Sequence, residues 1–284
     1  MEELVREAKA LGVSPTSFVR EVFQRLILYS LAYLGLEDYY VFQGGTALRL
    51  FYGSPRVSLD MDFTLVEREL AKSVGDFSRA LGVVRRALSP YRVDVESTRE
   101  KLFSEEGLYR SFFVFDTLPW LGRKIKVKLE VIQRNYSGVS FRREVLVLRF
   151  PVTVSVGVVV KSPSHLLADK VASLAGGYHR GYVRWRDVFD IYWLVDQLRA
   201  KVDPAYLRLE FGTYTEEPSD LVSLIGVLDE ILNRGNFSAV RKELERYLHS
   251  SMLGNDMVKA YLLTVLSVLN EACRVLGCEA GGVG

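Results

Sequence analysis

The sequence predicts an α/β (α+β) protein in which a small mixed β-sheet, flanked by helices, is followed by an α-helical C-terminal domain. Three observations predict it. Residues 58–65 and 124–134 alternate with a period of two, placing Leu59, Met61, Phe63 and Leu65, or Ile125, Val127, Leu129 and Val131, on one side of a strand. Helical patterns occupy 2–11, 15–35 and 67–88 around these strands, and from Ser162-Pro163-Ser164 onward the pattern is almost wholly helical. A boundary is therefore expected near Lys161, with 1–160 forming the sheet core and its N-terminal helices and 161–284 a helical domain completing a cleft.

In order, Ser14 or Ser17 can cap the helix beginning near Pro15, whose spacing Phe18, Val22 and Leu26 follow. Tyr39 to Phe42 reads as a strand delivering the turn Gly44-Gly45-Thr46, and Ala47 to Phe51 as a short helix. After the 58–65 strand, a helix over Glu67 to Leu88 stops at Ser89-Pro90. Tyr91 to Ser97 and Tyr109 to Asp116 are strands, the latter with Phe112, Val114 and Asp116 on one side, and Leu118 to Gly122 is a turn. Lys124 to Arg134 sets Lys124, Lys126, Lys128 and Glu130 opposite its apolar face, and Val145 to Val160 gives one or two strands broken at Pro151. Beyond the boundary, helices are expected over 163–175 and 184–198, with three or four more in 204–277 and fraying over 280–284.

Composition excludes several classes. A length of 284 residues, with 49% apolar and 25% charged residues, is that of a soluble globular chain, and a net charge of +2 is too small to declare a nucleic-acid binder. Cys273 and Cys278, five apart on an expected helix, point to different sides and form neither a zinc site nor an easy disulfide, so a reduced, cytoplasmic setting is the default. No secretory leader is expected at the charged N-terminus. Leu26–Leu36 is too short for a membrane span and Val145–Val160 is interrupted by Arg149 and Pro151.

The chemistry concentrates in Phe42 to Leu65, FQGGTALRLFYGSPRVSLDMDFTL. Ser58, Asp60, Asp62 and Thr64 share the strand face opposite the apolar one. Two neighbouring carboxylates repel unless a cation neutralises them, and hard divalent cations prefer oxygen, so the pair points to Mg²⁺. The Gly44-Gly45 turn sits where free N–H groups of a helix start would meet an anion. An anion site beside a metal site suits a nucleoside triphosphate. Asp-x-Asp and Gly-Gly are each common alone; their conjunction in one small unit is the signal.

These residues resemble the AbiEii/AbiGii toxin family of nucleotidyltransferases, a branch of the DNA polymerase β-like superfamily, at Gly44, Gly45, Thr46, Ala47, Leu48, Arg49, Arg56, Ser58, Asp60, Asp62 and Phe63. The resemblance implies Mg²⁺, with Mn²⁺ as substitute, held by Asp60, Asp62 and a third acid. By alternation alone Glu130 reads equally as a surface glutamate paired with lysines; the resemblance favours it, with Asp116 as runner-up. Gly44, Gly45 and Thr46, with Arg56 and Ser58, would hold the nucleotide. As residues, Arg186, Asp187 and Asp190 read as an ordinary helix-surface ion pair; the resemblance carries Lys170 and Asp187 over as site residues, with Asp190 as a further candidate and Lys170 neutralising the departing pyrophosphate. It also implies the toxin of a toxin–antitoxin or phage-defence pair, a cognate antitoxin, and an RNA acceptor, a tRNA 3′ end foremost. Tyr178 to Arg186, where Arg180, Arg184 and Arg186 alternate with Tyr182 and Trp185, has the composition of a single-strand contact or of a solvated loop. Transfer to a protein or small-molecule hydroxyl, and a non-catalytic nucleotide-binding module, are the alternatives.

Overall fold

The computed structural model describes residues 1–134, 136, 139–213 and 219–278, so the fraying expected over 280–284 lies outside the described residues. The chain divides into two units, Met1–Phe51 with Val57–Lys161, and Tyr52–Arg56 with Ser162–Gly284.

The first unit opens with α1 (Glu2–Ala10) and α2 (Pro15–Tyr33); Ser14 is the N-cap of α2, its hydroxyl accepting from the Ser17 N–H at 3.5 Å, and Pro15 takes a first-turn position where no N–H is needed. There follow β1 (Tyr40–Gln43), α3 (Gly44–Phe51), β2 (Asp60–Leu65), α4 (Lys72–Leu88), β3 (Val95–Phe103), β4 (Leu108–Phe115), α5 (Leu118–Leu121), β5 (Ile125–Gln133), β6 (Arg142–Leu148) and β7 (Val154–Val160). The strands form one seven-stranded mixed sheet in the order β3-β4-β5-β2-β1-β7-β6. Within it β2 runs parallel to β5 and β1 to β7, and the remaining pairs are antiparallel.

Period two decides what each face of this sheet does. Met61, Phe63 and Leu65 of β2 and Val127, Leu129 and Val131 of β5 are fully buried on one face, which α2 and α4 cover. There Phe23 stacks on Phe115 at 4.0 Å, and Phe77 meets Tyr40, Phe63, Tyr109 and Phe113. Each ring so buried stabilises the fold by about 1.5–3 kcal/mol. The Tyr40 hydroxyl donates to Asp76 at 2.7 Å and Arg68 grips the same carboxylate from two nitrogens, which fastens α4 to the sheet. The opposite face is thereby left to Asp60, Asp62, Lys128 and Glu130.

Three local expectations are corrected. Leu59, expected on the core side, is 43% exposed because the strand begins only at Asp60. The helix expected from Glu67 begins at Lys72, since Glu67 takes a left-handed φ of 52° that no α-helix accommodates. Cys278 does not extend a helix away from Cys273. Gly277 ends the helix in the left-handed region, the Cys278 N–H returns to the Cys273 carbonyl at 3.0 Å, and burial together with the hydrogen bond that the Cys273 thiol shares with Cys278 as its protonated partner pushes that thiol up to about 12.

The second unit is helical: α6 (Pro163–His179), α7 (Trp185–Tyr192) running into a π turn (Trp193–Gln197), α8 (Pro204–Thr213), α9 (Ser219–Arg234), α10 (Ser238–Leu244) and α11 (Asn255–Leu276). Ser162 caps α6, accepting the His165 N–H at 3.3 Å. The buried His165 and Glu210 side chains meet at 2.7 Å and join α6 to α8, while Phe189 of α7 packs edge-on against Tyr261 of α11. None of the described helices is long and apolar enough to cross a membrane.

Candidate active site

The polar face of the sheet carries a charged checkerboard set by strand register. Asp60 lies opposite Lys128 and Asp62 opposite Glu130 across the parallel β2–β5 pair, and Glu130 lies opposite Arg110 across β5–β4. Asp62 has Gln43 as its partner on the other side. The Lys128 ammonium stands 3.1 Å from Asp60 Oδ2 and 2.8 Å from Glu130 Oε2, bridging two carboxylates that would otherwise repel. Arg110 donates to Glu130 Oε1 through Nε at 2.7 Å and its terminal nitrogen at 2.6 Å. Burial alone would raise the Glu130 carboxyl, but its hydrogen bonds to Lys128 and Arg110 outweigh that and hold it below the usual range. Burial opposes the Lys128 charge in the same way, and Glu130 and Asp60 prevail, raising its pKa.

The glycine turn and the carboxylate strand are one device. Gly44 has a φ of +76°, and a Cβ built on it would lie 2.3 Å from Asp62 Oδ2. Only glycine leaves room for that carboxylate against the first residue of α3, where N–H groups lack helical partners. Anionic charge was expected at this helix start, and Asp62 itself supplies it. Thr46, expected to cradle phosphate, is buried with its hydroxyl donating to the Asp60 carbonyl, so its side chain joins α3 to β2. The Ser58 carbonyl accepts from Gln24 Nε2 at 3.2 Å, which places α2 over the entry to β2. From that helix Arg20 feels Asp60: burial lowers its pKa against the pull of that carboxylate, and its buried Nε has no hydrogen-bond partner among the described residues.

The family implied by the motif uses a divalent cation, and the donor set can be tested for it. Asp60 and Asp62, all-oxygen and on one face, fit a hard divalent ion. Glu130, expected as the third ligand, is the register partner of Asp62 and has its two oxygens paired with Lys128 and Arg110; among the described residues no group of three or more His, Cys, Asp or Glu is arranged to hold a metal. Asp116 is farther still. It stands four residues beyond Phe112, the partner of Lys128, about 13 Å along the strand, and its Oδ1 accepts the Leu118 N–H at 3.1 Å as a turn cap.

Lys170, Asp187, Asp190 and Arg56 meet within the helical unit. Arg56, expected beside Ser58 as a nucleotide contact, belongs to that unit, is 4% exposed, and donates from Nε and a terminal nitrogen to Asp190 at 2.6 and 2.8 Å. Lys170 Nζ lies 2.8 Å from Asp187 and 2.9 Å from Asp190. Asp187 also accepts from Ser173 at 3.0 Å and pairs with Arg184 Nε at 2.8 Å. Burial disfavours both aspartate charges, yet Lys170 and Arg184 around Asp187, and Arg56 and Lys170 around Asp190, leave both carboxyls below the ordinary range. The helix-surface pair read from Arg186 and Asp190 is thus a buried network with different partners. In Tyr178–Arg186, Arg184 is drawn into this network, while Arg180 and Tyr182 are exposed, Tyr182 at 51%.

Sequence reasoning passed over Arg110, Lys128 and Arg20. The signal for Lys128 was present, since the alternation that selected Glu130 places Lys128 on the same face; Arg110 and Arg20 depend on register and helix packing that no spacing carries.

The AbiEii family, described as the nucleotidyl transferase AbiEii toxin of type IV toxin–antitoxin systems, matches residues 26–259. No curated protein matches the sequence. Two solved structures from Helicobacter pylori, one of them JHP933, are each 18% identical, with TM-scores of 0.58 and 0.55; the first covers 94% of this chain and 99% of its own, and JHP933 covers 93% and 94%. MenT4, a nucleotidyltransferase toxin of Mycobacterium tuberculosis H37Rv, is 15% identical at a TM-score of 0.53, covering 99% of this chain and 94% of its own. At these identities the likeness is one of fold.

Proposed function

The chain belongs to the AbiEii nucleotidyltransferase toxin family, and from that premise we propose that it transfers a nucleoside monophosphate from a triphosphate to an RNA acceptor, a tRNA 3′ end foremost, in a Mg²⁺-dependent reaction of the cytoplasm. The observation that carries this reading is the Asp60–Asp62 pair on one sheet face, with Asp62 seated against the Gly44 helix start.

Asp60 and Asp62 would hold the ion, which when bound supplies Lewis-acid polarisation of the phosphoryl group under attack. The acceptor hydroxyl gives its proton to solvent and its oxygen forms a bond to the α-phosphorus, as the bond from the α-phosphorus to the oxygen bridging to the β-phosphate breaks and pyrophosphate leaves with that bond's electron pair. Gly44 makes room for the Asp62 carboxylate against the α3 start, which positions that carboxylate for the ion. Lys170, its ammonium held by Asp187 and Asp190, acts as a positioning residue that fixes α6 to α7. Exposed Tyr182 and Arg180 suit a base and a phosphate of single-stranded RNA. A cognate antitoxin is the expected protein partner.

The test is incubation with each α-labelled nucleoside triphosphate, Mg²⁺ and total RNA. Label should appear on RNA, and Asp60→Asn and Asp62→Asn should each abolish it while circular dichroism shows an intact fold. Label on protein instead of RNA refutes the acceptor, and either variant transferring at near wild-type rate refutes the site.

A further inference from the structure

The face that holds the two aspartates already contains a cation of its own. Lys128 Nζ lies 3.1 Å from Asp60 and 2.8 Å from Glu130, between the strand proposed to hold metal and the acid that would complete a second metal site. From this we infer that Lys128 takes the place of a second metal ion, so that the site accepts one divalent cation, at Asp60 and Asp62, and Glu130 serves to fix the lysine rather than to ligate metal. This deepens the reading of Asp60 and Asp62 as the metal-holding pair and rests on it.

Three features of the geometry support the assignment. Lys128 is part of the strand: its register partner is Asp60 and its same-face neighbour is Glu130, so the ammonium reaches both carboxylates without leaving the sheet. Its anchor is itself anchored, because Arg110 donates to the other oxygen of Glu130 and leaves that carboxylate no oxygen clear of a cation. Glu130 is therefore neutralised twice before any ion arrives. On the far side, Gln43 is the register partner of Asp62, and Gly44 makes room for the Asp62 carboxylate.

The charges agree. Asp60, Asp62 and Glu130 carry three negative charges, and Lys128, Arg110 and the Arg20 that feels Asp60 carry three positive ones, so this cluster is balanced before any ion arrives. One divalent ion leaves two net positive charges, which complement an arriving triphosphate. A second ion would leave four, and an ammonium already paired with both Asp60 and Glu130 opposes it by Coulomb repulsion. A lysine is a compact point charge with three donors, suited to bridging two carboxylates where an ion would otherwise sit.

The test counts Mn²⁺ ions on the purified full chain by electron paramagnetic resonance and isothermal calorimetry, with metal alone as the probe. The wild type should saturate at one equivalent. Lys128→Met should saturate at two, with tighter binding of the first, because a positive charge beside Asp60 has gone. Adding Glu130→Gln to Lys128→Met should return the count to one, which a merely structural lysine would not do, and thermal melts identify any variant that fails to fold. If Lys128→Met is unstable, Glu130→Gln alone decides: it should still bind one ion, whereas loss of that ion makes Glu130 a ligand and overturns the inference. Two equivalents on the wild type also overturn it, while leaving the Asp60–Asp62 reading standing. One equivalent on both wild type and Lys128→Met overturns it as well. No bound ion on a folded wild type sinks the underlying metal reading and the inference with it.

Discussion

Gly44→Ala separates two effects that the structure superimposes at one residue. The first is backbone strain, since Gly44 holds φ at +76°, and an L-residue there costs about 1–2 kcal/mol. The second is collision: the new methyl would stand 2.3 Å from Asp62 Oδ2, against the 3.4 Å or more of ordinary contact, so the carboxylate must swing by over 1 Å. Driving a side chain off its rotamer costs roughly 0.5–1.5 kcal/mol. The total expected loss is about 1.5–3.5 kcal/mol, roughly 3–14 °C in thermal midpoint for a unit of this size. Gly35 supplies the control, because it has nearly the same φ, +66°, and nothing within 4 Å of its Cβ position; Gly35→Ala should show strain alone.

A double-mutant cycle then isolates the collision. In an Asp62→Ala background Gly44→Ala should cost only the strain, so that the cycle returns a coupling of about 0.5–1.5 kcal/mol by denaturant unfolding. Coupling smaller than the usual additivity error of about 0.3 kcal/mol would mean that Asp62 is not seated against Gly44 in solution. The single variant should also lose Mn²⁺ affinity, which Gly35→Ala should leave intact.

Two further predictions concern the buried network of the helical unit. Arg56→Met strips Asp190 of two hydrogen bonds and leaves Lys170 as its remaining paired cation; breaking a buried pair in this way should cost about 3 kcal/mol or more, and a loss under about 1 kcal/mol, the value of an exposed pair, would show that the network is solvated. The network also sets a pH dependence. The Asp187 and Asp190 carboxyls are held below the ordinary range when folded, so their stabilisation is fully present above the unfolded value of about 4 and drains away as pH falls through the folded ones. Thermal midpoints should be flat from about pH 5 to 8 and fall below about pH 4; a decline on raising pH through the neutral range would contradict the assignment.

How far this molecule could be read from its residues depended on whether a feature was local. The β2 and β5 strands were legible because period two needs only a few residues, and the same alternation put Asp60, Asp62 and Glu130 on polar faces before their pairing was known. It could not say what stands between them. Lys128 and Arg110 neutralise Glu130 through cross-strand register, and register depends on which strands are neighbours in an order, β3-β4-β5-β2-β1-β7-β6, that no local pattern encodes. Arg56 shows the opposite limit. Two residues from Ser58 and four from Asp60, it looked like part of the same motif, yet residues 52–56 belong to the helical unit and Arg56 finds its partner 134 positions away, at Asp190. Proximity in a motif tells where a residue begins, and a long flexible guanidinium ends where a buried carboxylate requires it. A signature such as Arg-x-Ser-x-Asp-x-Asp can thus contain side chains whose charges are balanced in different units of the chain.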